Sequence, residues 1–168
     1  MRKILIVGNS GAGKSTLAAR LCEAQGLAHL DLDTLAWQAT SPPQRELLSV
    51  SAKAVDEFIR SNAGWVIEGC YTDLLELAAA HSTELIFMNL PTELCVANAR
   101  ARPWEAHKYE SKSAQDANLP MLIEWIKQYA QREDTFSLAS HSQFYRQYSG
   151  KKTLYTRNHP GCSPDGES

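Results

Sequence analysis

Ile4-Leu5-Ile6-Val7-Gly8-Asn9-Ser10-Gly11-Ala12-Gly13-Lys14-Ser15-Thr16 is the stretch on which the reading turns. Its first four residues form an apolar run between Lys3 and Gly8, the pattern of a short strand buried on both faces of a parallel sheet. Gly8 to Ser15 then matches G-x-x-x-x-G-K-[ST] at every fixed position. The residue types follow from the chemistry. Glycines let the backbone turn so that successive N–H groups converge on phosphate oxygens. The helix that follows adds its positive end. Lys14 has the reach for the β- and γ-phosphates, and the Ser15 hydroxyl suits Mg²⁺. An accidental glycine-rich turn is the plainer alternative, but this motif follows the first strand and opens the first helix. Gly8, Ser10, Gly11, Ala12, Gly13, Lys14, Ser15 and Thr16 are therefore expected to bind ATP, with Mg²⁺ as its counter-ion.

Outward from this loop, strands and helices alternate. Lys14 to Gln25 has Leu17 and Leu21 four apart, Ala18 and Cys22 likewise, and Gly26 as a stop. Leu27 to Leu30 reads as a second strand, Trp65 to Ile67 as a third, Leu85 to Leu90 as a fourth and Thr153 to Thr156 as a fifth. The patterns predict helices over Arg45 to Arg60, Asp73 to Ala80, Pro91 to Arg102, Pro120 to Arg132 and Thr135 to Tyr148. Pro103 to Leu119 lacks clear periodicity, and the segment after Asn158 is rich in Gly, Pro and Ser, a frayed tail over 159–168. Such alternation implies an α/β fold with a parallel sheet covered on both faces, in three layers. Ligands of these sheets bind beyond the carboxyl ends of the strands, so the residues just after each strand carry the functional information.

Asp31 and Asp33 follow the second strand. They could hold Mg²⁺ directly or through water, or one could take the proton of an acceptor hydroxyl. The blander alternative is a solvated turn with a helix cap. Glu68, Gly69 and Tyr71 follow the third strand; they suit an acceptor, with a turn around a buried tyrosine as the equal alternative. The fourth strand ends in Asn89 where a Walker B strand usually ends in Asp, which shifts metal duty toward Ser15 and the Asp31/Asp33 pair. Arg100 and Arg102 precede the weakly patterned segment, which also carries His107, Lys108 and Lys112. A lid over about residues 100–118 would bring arginines to a phosphoryl group in transfer; charge complementing a helix end is the alternative. Arg132 is a candidate further clamp. His29, His81, His141 and His159 have no metal-ligand spacing and read as structural or surface residues.

The 168 residues fit one domain, and a net charge of −2 argues against a nucleic-acid footprint. Cys22, Cys70, Cys95 and Cys162 form no CxxC pair, which argues against zinc and suits reduced thiols in a cytoplasmic protein. No apolar run approaches the length of a membrane span, and no membrane partner is expected.

The loop, Leu32-Asp33-x-Leu35-x-Trp37, Trp65-Val66-Ile67-Glu68-Gly69-x-Tyr71 and the late Trp125-Ile126 resemble the P-loop kinases called DNA topology modulation proteins, a group similar to adenylate and shikimate kinases. The resemblance spans roughly residues 1–158 and lacks the Gly-Phe-Pro-Arg run typical of adenylate kinases. It implies a P-loop NTPase fold, a five-stranded sheet of order 2-3-1-4-5 with a helical lid, ATP as donor and Mg²⁺ as cofactor. The leading expectation is a small-molecule or nucleotide kinase, monomeric or dimeric, with Lys14, Asp33, Arg100 and Arg102 catalytic, Asp31, Asp33, Glu68, Gly69 and Tyr71 toward the acceptor, and Ser15 and Asp31 on the metal. The alternatives are a nucleotide-binding regulator without fast transfer and, from the group's name, a DNA-associated factor.

Overall fold

The computed structural model describes residues 1–159. Five strands form one parallel sheet of order β2-β3-β1-β4-β5: β1 Lys3–Gly8, β2 Ala28–Asp31, β3 Trp65–Gly69, β4 Glu84–Met88 and β5 Lys151–Tyr155. The helices are α1 Lys14–Gln25, α2 Leu48–Ser61, α3 Thr72–Ala79, α4 Thr92–Ala101, α5 Lys112–Lys127 and α6 Leu138–Gln147. The expected architecture and strand order are both present.

The apolar run that opens the chain divides its side chains between two layers. Leu5 and Val7 enter a core with Leu32, Trp65, Ile67, Tyr71, Leu74 and Phe87. Ile4 and Ile6 face the opposite way, against Leu17, Val66, Ile86 and Cys95. Alternation of Cβ directions along one strand thus fills both faces, which is why the run has no polar residue. The register also sets the chemistry. Asp31 pairs with Glu68 and Val7 with Gly69, so the loops after β1, β2 and β3 emerge side by side.

Three helix starts differ from the sequence expectation by more than one residue, and α5 ends at Lys127 rather than Arg132. The largest shift is in α5, which begins at Lys112 and runs through Pro120. The Ser111 hydroxyl caps it by accepting from the Ala114 N–H at 3.0 Å. Pro120 was expected at the first turn, where proline costs nothing; here it sits in the interior with no N–H to donate to Asp116. Burial of Ile123 and Ile126 and the Asn9 amide on the Ile126 carbonyl at 3.2 Å favour the continuous helix. The start of α2 moves to Leu48, because Arg45 leaves the helix to form a bridge with Trp37 and an ion pair with Asp73 at 3.1 Å. In α6 the Ser137 hydroxyl caps the helix, so its first residue is Leu138. The expected tail is described only to His159, whose ring meets Tyr155 edge-on; residues 160–168, with Cys162, lie outside the described residues.

Candidate active site

Two residues of the phosphate loop have backbone conformations that only glycine adopts cheaply. Gly11 and Gly13 have φ of 79° and 83°, and a Cβ on Gly11 would lie 2.3 Å from the Cys95 carbonyl oxygen. α1 then starts at Lys14, with Gly13 as its N-cap and no side-chain cap, its positive end toward the loop. Side chains from elsewhere hold the loop. Asn9 reaches α5, Asn98 of α4 donates to the Gly11 carbonyl at 2.8 Å, and Lys14 Nζ donates to the Asn9 carbonyl at 2.7 Å. Lys14 is buried, so its ammonium is aimed rather than free to wander.

A cleft of about 420 Å³ opens over this loop. Ser10, Gly11, Gly13, Lys14, Ser15 and Thr16 form its floor. Asp33, Glu68, Gly69 and Cys70 form the side toward β2 and β3, and Asn98, Arg102, Glu105 and Lys108 form the side toward α4 and the connection that follows it. Gly8 and Ala12 are buried beneath the loop. Arg100, expected over the phosphates, is exposed and faces a separate small cavity with Asp116 and Leu119. Arg102 does reach the cleft and pairs with Glu105 at 3.5 Å.

The acidic residue beside Ser15 comes from β3. The Ser15 hydroxyl donates to Glu68 Oε1 at 2.8 Å, and His29 Nε2 lies 3.3 Å from the same oxygen. The Glu68 hydrogen bond is the main reason that the His29 pKa is raised. Asn89 lies on the other flank of β1, so its neutral side chain does not leave Ser15 without an acidic neighbour. His29 was read as structural; the available signal was its period-two spacing from Asp31, which puts both on one face of β2.

Asp31 and Asp33 lie at the turn leaving β2, and the turn divides their oxygens. Asp31 Oδ1 accepts from the Asp33 N–H at 2.9 Å, and Asp33 Oδ1 accepts from the Tyr71 hydroxyl. Both Oδ2 atoms face Lys108, whose Nζ is 2.9 Å from Asp33 and 3.5 Å from Asp31. Burial raises the Asp31 pKa, and the charges of Glu68 and Asp33 raise it further. Burial pushes Asp33 the same way but is outweighed by Lys108 and the Tyr71 hydrogen bond, so its pKa is lowered and it stays ionised. Tyr71 is only 2% exposed, so its hydroxyl holds Asp33 and does not face the cleft.

These contacts explain two of the sequence runs. Trp37 Nε1 donates to the Tyr71 hydroxyl at 2.8 Å, and that hydroxyl donates to Asp33. Leu-Asp-x-Leu-x-Trp and Gly-x-Tyr are therefore two halves of one hydrogen-bonded support. Phe136 packs on Tyr71 at 5.2 Å, and the Arg45 guanidinium lies 5.0 Å from the Tyr71 ring. Arg132 stacks over Trp125 at 3.6 Å with Nη1 on the Trp125 carbonyl. Burial lowers its pKa, against the opposing charge of Asp134.

A five-stranded parallel sheet of this order with a phosphate loop after β1 defines a P-loop kinase-like fold. The model of the AAA domain family AAA_33 matches residues 4–125, and the chain belongs to that family. Among curated proteins it is similar to the uncharacterized protein YqaC of Bacillus subtilis (strain 168), 25% identical over 133 residues that make up 76% of this chain and 72% of that one. Among solved structures it resembles shikimate kinase from Acinetobacter baumannii in complex with shikimate, with a TM-score of 0.54 at 17% identity over 96% of this chain and 87% of that one. A sugar kinase from Janibacter sp. HTCC2649 gives a TM-score of 0.53 at 13% identity over 96% and 88% of the two chains.

Proposed function

We infer that the chain is an ATP-dependent phosphotransferase whose acceptor is a small molecule bearing a hydroxyl or phosphate. The observation that carries this reading is that Lys14 and Ser15 share one cleft with the ionised Asp33 carboxylate, Glu68 and Gly69. A binding protein needs the loop alone; a fixed carboxylate facing it supplies a group to orient an acceptor or take its proton. Kinase neighbours of the same fold support the reading, as does the resemblance to the DNA topology modulation group. The net charge of −2 does not favour a DNA partner.

In this reading the Gly8–Thr16 loop and Lys14 hold the phosphates, and Arg102 stabilises charge on the phosphoryl group in transfer. Arg100 has no part in it, since it faces away from the cleft. Glu68 and Gly69 border the acceptor, Asp33 acts on it, and Tyr71 and Trp37 keep Asp33 in place. The donor set suits Mg²⁺: the Ser15 hydroxyl and the Glu68 carboxylate in the cleft, with the Asp31 carboxylate beside Glu68 on β2, offer only hard oxygens. Mg²⁺ would neutralise phosphate charge there. No helix among the described residues is long and apolar enough to cross a membrane. Cys22, Cys70 and Cys95 are free, which supports a cytoplasmic location.

The test is calorimetry followed by a metabolite screen for ADP release. The folded protein should bind ATP with Mg²⁺, and Lys14→Ala should weaken it by about 10- to 100-fold, the loss of a charged hydrogen bond. A folded protein with no ATP affinity, or one indifferent to Lys14→Ala, would overturn the reading. ATP affinity without ADP release from any acceptor would favour the regulator instead.

A further inference from the structure

Lys108 lines the cleft and the phosphotransfer reading does not use it. It belongs to the connection between α4 and α5, 75 residues from Asp33 in sequence. The connection is tied into a compact knot. Trp104 Nε1 donates to the Tyr109 carbonyl at 3.0 Å, the Glu105 N–H to Gln115 at 2.8 Å, and Gln115 back to the Pro103 carbonyl at 3.0 Å. Asn118 of α5 holds the Tyr109 hydroxyl at 2.8 Å. The ammonium is thus presented by a small body tied to the start of α5.

What it meets is a paired seat. Each aspartate has one oxygen committed to the fold, and the two remaining Oδ2 atoms converge on the same Nζ at the edge of the cleft that Asp33 and Lys108 line. A divalent cation bound through Asp31 would use one of these oxygens, and an acceptor hydroxyl on Asp33 would use the other. One monovalent group therefore sits on both functional atoms at once.

We propose that Lys108 is an internal competitor of the metal and the acceptor: a latch that closes the α4–α5 connection on Asp31 and Asp33 until the metal–nucleotide and acceptor displace it. The proposal rests on the phosphotransfer reading of the cleft. Its logic is charge exchange. Two carboxylates beside Glu68 repel one another, and an ammonium on a hinged arm relieves that repulsion in the nucleotide-free protein. When Mg²⁺ brings two charges to the same place, the ammonium loses its advantage and the arm is released toward the phosphates. Metal binding and movement of the connection thereby become one equilibrium.

The experiment compares the full chain with Lys108→Met, which keeps the length without the charge, and Lys108→Arg, which keeps the charge. Hydrogen exchange is followed over residues 103–110 in the nucleotide-free protein. Free Mn²⁺ is titrated by electron paramagnetic resonance with ADP saturating, at about pH 8, where carboxylates stay ionised. A latch engaged in about nine molecules of ten hides the seat by about tenfold, so Lys108→Met should exchange faster over the connection and bind Mn²⁺ about tenfold more tightly. Lys108→Arg should stay near the parent on both. Equal Mn²⁺ affinity in parent and Lys108→Met, with or without faster exchange, would overturn the competition and leave Lys108 as a brace. A parent protein with no affinity for ADP would overturn the nucleotide reading and the latch together; intact ADP binding with no metal effect sinks the latch alone.

Discussion

At the scale of single residues, the division of oxygens on Asp33 is the feature with most chemical consequence. Tyr71 fixes one oxygen and leaves the other to the cleft, so the carboxylate is oriented before anything binds. Asp33→Asn keeps the size and the contact with Tyr71 but removes charge and basicity. ATP affinity should change little, and turnover should fall by about 10²–10⁴, the range for losing a general base. A shift in Mg²⁺ dependence alongside would place Asp33 on the metal as well. Turnover and metal response both near the parent values would mean that Asp33 only shapes the capped turn after β2, and would remove it from the mechanism.

At the scale of elements, the α4–α5 connection decides how the cleft is covered. Arg102, Glu105 and Lys108 line it from a segment held to α5 by side-chain hydrogen bonds. Asn9, in turn, joins the C-terminal end of α5 to the phosphate loop. Occupation of the loop should therefore be felt across the whole element pair. With a non-hydrolysable ATP analogue and acceptor bound, hydrogen exchange over about residues 100–118 should slow by about tenfold or more, as the connection leaves the aspartates and closes over the phosphates. Equal rates with and without both ligands would show that the connection is a fixed wall.

At the scale of the whole molecule, His141 joins the layers behind the site. It is fully buried, its Nε2 meets the Cys70 carbonyl at 2.8 Å and its Nδ1 the Tyr129 hydroxyl at 2.6 Å. A carbonyl can only accept, so Nε2 carries the proton and Nδ1 accepts from Tyr129. Burial pushes its pKa down to about 4 from 6.5, and the cations Lys14 and Arg132 push in the same direction. In that window the unfolded chain binds a proton that the folded chain refuses. The stability that the neutral ring contributes is therefore complete above pH 6.5 and is lost as pH falls toward 4. Between about pH 7 and 5 the parent should lose about 2 kcal/mol more than His141→Gln, whose amide can make both hydrogen bonds but cannot titrate. Urea unfolding at the two pH values measures this; parallel losses would mean that His141 is not the titrating group.

The chain by itself determined the sheet class and the phosphate loop, because both are written in contiguous residues. Four apolar positions must bury both faces of a strand, and Gly11 and Gly13 must accept positive φ whatever surrounds them. The strand-end rule likewise brought Asp31, Asp33 and Glu68 into view from their places in sequence. Helix ends were less legible: Pro120 reads as a start until burial of Ile123 and Ile126 shows the helix passing through it. Only the tertiary structure decided which acid meets Ser15, since adjacency of β3 to β1 is a property of strand order. It also decided that Arg100 turns away while Lys108 turns in. One closes α4 and the other lies in the weakly patterned segment that follows; both carry the same charge, and nothing local tells which reaches the cleft. Their directions are set by how α4 and α5 pack against each other, a contact between side chains distant in sequence.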